Sequence, residues 1–243
     1  MIITTAIIKG GAGKTTTAAA LLQAAVHDGQ KCLAVDLDPQ GNLSSLLAAD
    51  NSRAGSHELL HGADAPDTIQ TSPQGMDVTT GSPDLATETT RPGSSTRLKD
   101  ALLPIERDYD LIIIDTPPYM GELTYCALIA ADNLLIPLET DTSSLRGLYH
   151  ITDLAQEVQK SNRRLQIMGT VVTRYDARPR INRYLYDAIR EKGEEVGAPI
   201  IGTIRQAIAV KEAQAMQQSL YDYAPKCKAA LDYQELYATI IKE

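Results

Sequence analysis

Neither tryptophan nor phenylalanine occurs in this chain of 243 residues. A core without those large rings must be built from Ala, Leu, Ile and Val, and a hydrophobic content of 43% suits a globular protein made that way. Cysteine is also scarce. Cys32, Cys126 and Cys227 are isolated and odd in number, which argues against a disulfide framework or a C-x-x-C metal site. No run of 18 apolar residues exists, so the pattern offers no membrane-spanning helix. The first residues pass straight into the apolar run Ile2 to Ile8, without a charged leader region or cleavage site. These absences together lead to the expectation of a soluble, cytoplasmic protein.

Positive charge is in the minority. The formal net charge of −8 taken alone argues against a nucleic-acid partner, but its distribution points the other way. Residues 1–140 carry 8 Lys+Arg against 18 Asp+Glu, whereas residues 141–243 carry 15 against 13. Between 160 and 183 lie Lys160, Arg163, Arg164, Arg174, Arg178, Arg180 and Arg183 against Asp176 alone. A solvated helix face is the commoner outcome for a charge run. The preference for arginine over lysine here favours phosphate recognition.

The most informative segment is Lys9-Gly10-Gly11-Ala12-Gly13-Lys14-Thr15-Thr16, set between the apolar run and the alanine-rich stretch Thr17 to Ala25. It reads as a strand, a glycine turn and a helix start. Glycines let successive backbone N–H groups turn toward one anion, and the first helical turn adds donors and the positive end of its dipole. Lys14 is placed to reach the outer phosphates, and the Thr15 hydroxyl to ligate Mg2+. The common G-x-x-x-x-G-K-[ST] pattern fails at its first position, where Ile8 stands, and an extra lysine, Lys9, sits at the mouth of the loop.

On these residues the chain resembles the deviant P-loop ATPases of the ParA/MinD family, whose signature K-G-G-x-G-K-[ST]-[ST] is matched at every position from Lys9 to Thr16. Among them it looks most like the small partition ATPases of the Soj type, since only eight residues precede the loop and leave no room for a helix-turn-helix domain.

Three further segments fit. Lys31 to Leu37 is an apolar run ending in Asp36-Leu37-Asp38-Pro39, and Leu111-Ile112-Ile113-Ile114 ends in Asp115-Thr116-Pro117-Pro118. Four branched or leucine residues in a row mark a strand buried on both faces, and an acid at its end lies at the edge where open parallel sheets bind ligands. The stretch from about 49 to 95 has loop composition, with a helical turn at 56–61 and a strand at 76–80, and reads as an elaboration of one sheet. From 121 onward, helix and strand alternate: helix 121–131, strand 133–138, helix 143–160, strand 165–173, helix 178–192, strand 200–204, and helices 206–218 and 226–241. The expected fold is α/β, a doubly wound, mostly parallel sheet flanked by helices, as one domain over 1–243.

The chemistry of ATP hydrolysis needs cations on the β/γ-phosphates, a metal bridging them and a group orienting water. The resemblance assigns nucleotide binding to Lys9, Gly10, Gly11, Ala12, Gly13, Lys14, Thr15 and Thr16. It puts the base near Thr173-Arg174 and under the loop from Ile204-Arg205 to Glu212-Ala213. Mg2+ would fall to Thr15, to Asp115 through a water, and to Asp36 nearby; Asp38 would orient the attacking water, alongside Lys9 and Lys14 in catalysis. Pro117 to Leu123 matches the family's second switch segment. Lys9 is implied to cross a two-fold axis to the partner's nucleotide, giving an ATP-dependent homodimer.

The resemblance further implies non-specific binding of nucleoid DNA through Arg174, Arg178, Arg180, Arg183 and Arg205, with Lys211, Lys226 and Lys228 as lesser candidates, and a centromere-binding adaptor of the ParB type. No membrane partner is expected, because the terminal stretch Leu231 to Glu243 is amphipathic but acidic and reads as packed on the core. The alternatives are a MinD-like membrane-cycling regulator, a cargo-positioning ATPase and a metabolic ligase such as dethiobiotin synthetase. The ligase gives no reason for Lys9, and a nitrogenase-type iron protein would need paired cysteines.

Overall fold

The computed structural model describes residues 1–88 and 94–242. Eight strands form one sheet: β1 (Ile2–Thr5), β2 (Cys32–Asp36), β3 (Gln70–Thr71), β4 (Asp77–Thr79), β5 (Leu111–Asp115), β6 (Asn133–Leu138), β7 (Gln166–Tyr175) and β8 (Ile200–Arg205). Their spatial order is β3-β4-β2-β5-β1-β6-β7-β8, parallel throughout except for β3, which pairs antiparallel with β4. The expected doubly wound, mostly parallel sheet is what the chain forms.

The helices are α1 (Lys14–His27), α2 (Asn42–Leu46), α3 (Ser56–Leu60), α4 (Ala65–Thr68), α5 (Arg97–Leu102), α6 (Glu122–Ala130), α7 (Thr142–Val158), α8 (Arg180–Glu195), α9 (Ile208–Ala215), α10 (Leu220–Tyr223) and α11 (Lys228–Lys242). Strand alternation sorts the core into two layers. Ile112 and Ile114 of β5 face the side covered by α5, α6 and α7, with Leu98, Leu128 and Ile151. Leu111 and Ile113 face the other side, where Leu21 and Leu22 of α1 meet Tyr233, Leu236 and Ile240 of α11. Small alanines in α1 and α11 let those helices lie close to the sheet, which suits a core without Phe or Trp. The apolar face of α11 is thus buried, as its sequence suggests.

Within the 49–95 stretch, β3 and β4 extend the same sheet at its edge, and α3 and β4 fall where expected; residues 89–93 lie outside the described residues. Besides the short helices α2, α4 and α10, three features were not foreseen. Strand β3 is too short for a periodic signal. Helix α5 is signalled only by the i, i+4 pair Leu98 and Leu102, both buried. The third corrects the charge reading: β7, ten residues or about 30 Å of extended chain, divides the basic segment between opposite ends of the sheet. Lys160, Arg163 and Arg164 precede it, and Arg164 is held by Asp132 at 2.5 Å. Arg174, Arg178, Arg180 and Arg183 follow at the carboxyl end.

Candidate nucleotide site and basic face

At the carboxyl edge of the central strands β2, β5 and β1, the chain assembles the loop and acids foreseen from sequence. Gly11 (φ 75°) and Gly13 (φ 87°) adopt the left-handed conformation that glycine alone takes without strain. A Cβ on Gly13 would also lie 3.1 Å from the Thr173 side chain. The first bond of α1 runs from the Thr17 N–H to the Gly13 carbonyl, 2.8 Å, and no side chain caps the helix. The amides of Lys14, Thr15 and Thr16 therefore have no partner within the helix and face the groove as donors for an anion.

Lys14 is buried, and its ammonium donates to the Lys9 carbonyl at 3.3 Å. Burial lowers its pKa, while Asp115 and Asp38 hold it up. Asp36 and Asp115 are both buried and stand opposite each other in the β2–β5 register. Loss of solvation raises the pKa of each. For Asp115, Asp36 adds to the rise while Thr15, Lys14 and Thr5 oppose it.

Their surroundings differ. Asp36 is engaged by the Ser44 N–H (2.9 Å), the Ser44 hydroxyl (2.7 Å) and the Asp38 N–H (3.1 Å). Asp115 receives the Thr5 hydroxyl on Oδ1 at 3.2 Å, but its buried Oδ2 has no hydrogen-bond partner. An orphaned carboxylate oxygen beside a lysine and a threonine fits a hydrated Mg2+, which would also offset the cost of burying the charge. Asp38 is buried, and its Oδ1 accepts the Gln40 N–H at 3.0 Å.

Two connected hollows follow the loop. One, about 430 Å³, is lined by the loop residues from Gly10 to Thr16 with Asp38, Gln40 and Pro118. The other, about 470 Å³, lies between Thr173-Arg174 and the segment from Ile204 to Lys211. They share Gly13, Thr16, Arg174 and Gln214, and form one groove long enough for phosphates at one end and a base at the other.

Several groove residues were not foreseen. Glu139 and Asp141 follow β6 at the same edge. Lys9 pairs with Asp141 and with Glu139 (3.4 Å), and Arg174 pairs with Glu139 and with the Gly11 carbonyl. Gln214 donates to the Thr16 hydroxyl at 2.9 Å, and the Tyr233 and Thr17 hydroxyls lie 3.3 Å apart. An acid just after an apolar strand was a usable sign for Glu139, as it was for Asp36 and Asp115. Gln214 and Tyr233 carry no such sign.

The arginines separate by environment. Arg174 belongs to the groove. Arg205 is bound to Asp232 of α11 at 2.6 Å, and Arg178 to Asp176 at 2.7 Å, which pulls the Asp176 carboxyl down to about 2. Arg183 donates to the Ala177 carbonyl at 2.6 Å, and Arg180 forms no ion pair among the described residues. Both stand at the start of α8, beside the exposed Ile181 (57%) and Tyr184 (70%). Lys211 lines the base end of the groove, while Lys226 and Lys228 are exposed before and at the start of α11.

A parallel sheet with a glycine loop after its central strand β1, and acids ending the adjacent β5 and the next strand β2, defines a P-loop nucleotide-binding protein. Residues 1–167 match the family model described as an AAA domain. The chain is 32% identical over 231 residues to the chromosome-partitioning ATPase Soj of Thermus thermophilus, covering 94% of this chain and 90% of that protein. It is 33% identical over 244 residues to the sporulation initiation inhibitor protein Soj of Bacillus subtilis, covering 97% and 94%. Among solved structures, cobyrinic acid a,c-diamide synthase from Mycobacterium smegmatis with bound ADP and magnesium superposes with a TM-score of 0.86 at 29% identity, over 99% of this chain and 94% of that one. The chain belongs to the ParA/Soj family of partition ATPases.

Proposed function

We propose that this chain is a DNA-partition ATPase of one domain spanning 1–243. Two subunits sandwich two ATP molecules with Mg2+, bind DNA without sequence preference, and are released when an adaptor stimulates hydrolysis. The observation that carries the reading is Lys9 at the mouth of a phosphate loop in a chain alike to Soj proteins over nearly its full length. Lys14 and the Lys14–Thr16 amides hold phosphate, Thr15 and Asp115 hold Mg2+, and Asp38 orients water. Asp36 acts by holding Ser44 and the Asp38 amide in place.

The start of α8 supports the DNA contact. Its first turn carries no acid and begins with Arg180. Arginine at the positive end of a helix dipole is unfavourable until an anion arrives, and a phosphate backbone supplies one. Because affinity rises steeply with the number of phosphates neutralised, joining two such faces in an ATP dimer turns weak binding into strong binding.

No described helix is long and apolar enough to cross a membrane, and the buried apolar face of α11 weighs against a MinD-like terminal membrane helix. The proposed site of action is the cytoplasm, on the nucleoid. A ligase reading, which the name of the M. smegmatis protein raises, leaves Lys9 without a role.

Purified protein with ATP and Mg2+ is expected to retard unrelated DNA sequences, with affinity falling steeply as salt rises. Lys9→Ala removes this while nucleotide binding persists, and joint charge reversal at Arg180 and Arg183 weakens DNA binding but spares dimerisation. DNA binding that ignores nucleotide, or survives the reversal unchanged, contradicts the proposal.

A further inference from the structure

Away from the groove, α3 and Glu88 bring together two imidazoles and a carboxylate. His57 and His61 stand four residues apart, so one helical face presents both, with ring centroids 4.5 Å apart. Glu88 Oε1 lies 2.7 Å from His61 Nε2 and 3.8 Å from His57 Nε2, and one ligand atom from each residue falls within 4.8 Å of the others. We propose that His57, His61 and Glu88 form a three-ligand site for a divalent transition metal of the Zn2+ class, open to solvent at the fourth position.

Ligands about 2.0–2.1 Å from a tetrahedral zinc lie roughly 3.4 Å from one another. The two His–Glu separations straddle that value, so small rotations of the exposed His61 ring and the partly buried His57 ring suffice. Two imidazoles with one carboxylate suit Zn2+ rather than Mg2+ or Ca2+, which prefer oxygen. The surroundings provide a second, independent sign. His57 Nδ1 lies 3.3 Å from Glu58 Oε1, and Glu58 Oε2 is itself fixed by the Gly55 N–H at 2.8 Å. A carboxylate on the far nitrogen orients an imidazole so that Nε2 faces a metal. Arg97 holds the other Glu88 oxygen at 3.5 Å, which leaves Oε1 turned to the histidines. The Glu88 side chain is only 7% exposed, so its charge sits where a second cation is favoured.

Bound metal would tie α3 to a segment about 30 residues further along the chain. Its site shares no residue with the nucleotide groove, so the two metals are separable. Because imidazoles must be neutral to ligate, uptake weakens on acidification.

The test uses the full chain, stripped with chelator, saturated with Mg2+ and ATP, and titrated with Zn2+ in equilibrium dialysis. The expected result is one Zn2+ per chain, lost in His61→Asn and weakened about 10- to 100-fold in Glu58→Gln, which keeps an amide oxygen for the Gly55 N–H but removes the carboxylate charge that orients His57. His61 is half exposed, so its substitution leaves the circular dichroism spectrum and the basal ATPase rate unchanged. Co2+ used in place of Zn2+ gives a d–d spectrum without a thiolate charge-transfer band. No uptake by the parent, equal uptake by His61→Asn, or a thiolate band pointing to a cysteine each overturns the proposal.

Discussion

Asp141→Asn tests the reach of Lys9 most directly. In the single chain, the Lys9 ammonium is held by Asp141 and, at 3.4 Å, by Glu139. A lysine that must contact a partner's phosphates has to leave those acids first. Asp141 also caps α7 by accepting the Ser144 N–H at 2.9 Å, and asparagine caps a helix as well as aspartate does. The substitution therefore removes charge while keeping the fold. Partly exposed ion pairs contribute about 0.5–1 kcal/mol each. Two subunits release one apiece on dimerising, so the dimer gains about 1–2 kcal/mol, or roughly 5- to 30-fold tighter association. Sedimentation of the Asp38→Ala background with ATP and Mg2+ over a range of concentrations measures this. Unchanged or weaker dimerisation would refute the idea that Lys9 exchanges an internal acid for an external phosphate.

Gly13→Ala forces a side chain into the left-handed region against Thr173, which costs about 1–2 kcal/mol before any clash is counted; chemical denaturation and nucleotide titration are both expected to show the loss. Ser44→Ala leaves Asp36 short of its 2.7 Å hydroxyl donor and the Gly81 N–H short of its 3.0 Å acceptor, so stability falls by about 1–3 kcal/mol in urea melts; a loss below a few tenths would remove Ser44 as the organiser of this turn. Burial raises Asp36 and Asp115 above the usual carboxylate range, so the folded chain binds more protons than the unfolded one from about pH 4 toward neutrality. Their contribution to stability therefore declines as pH rises through that window. Mg2+ with ATP favours the ionised forms and flattens the decline, and Asp115→Asn flattens it without metal; parallel curves for parent and variant would contradict this.

Sequence carried the central elements because their signals are local. The run Leu111 to Ile114 sends alternate residues into both layers, and the glycines at 11 and 13 occupy the conformation that their type implies. What escaped depends on the return of distant chain. Glu139 meets Lys9 across 130 residues, and Gln214 meets Thr16 across 198, distances over which no periodicity reports. The basic segment shows the converse failure. Residues close in sequence were placed together, yet a long strand parts three of the seven from the other four, and the nearby Asp176 matches the charge of Arg178; outside the segment, Asp232 does the same for Arg205.

The hydroxyl of Tyr233 meets that of Thr17 across 216 residues of chain, and the same tyrosine lines the groove together with Gly13. During synthesis the glycine loop leaves the ribosome early and α11 comes late. A nascent chain with its loop already exposed still lacks one side of the chamber. Capture of nucleotide, and with it the subunit pairing proposed above, is thereby deferred until nearly the whole chain has emerged.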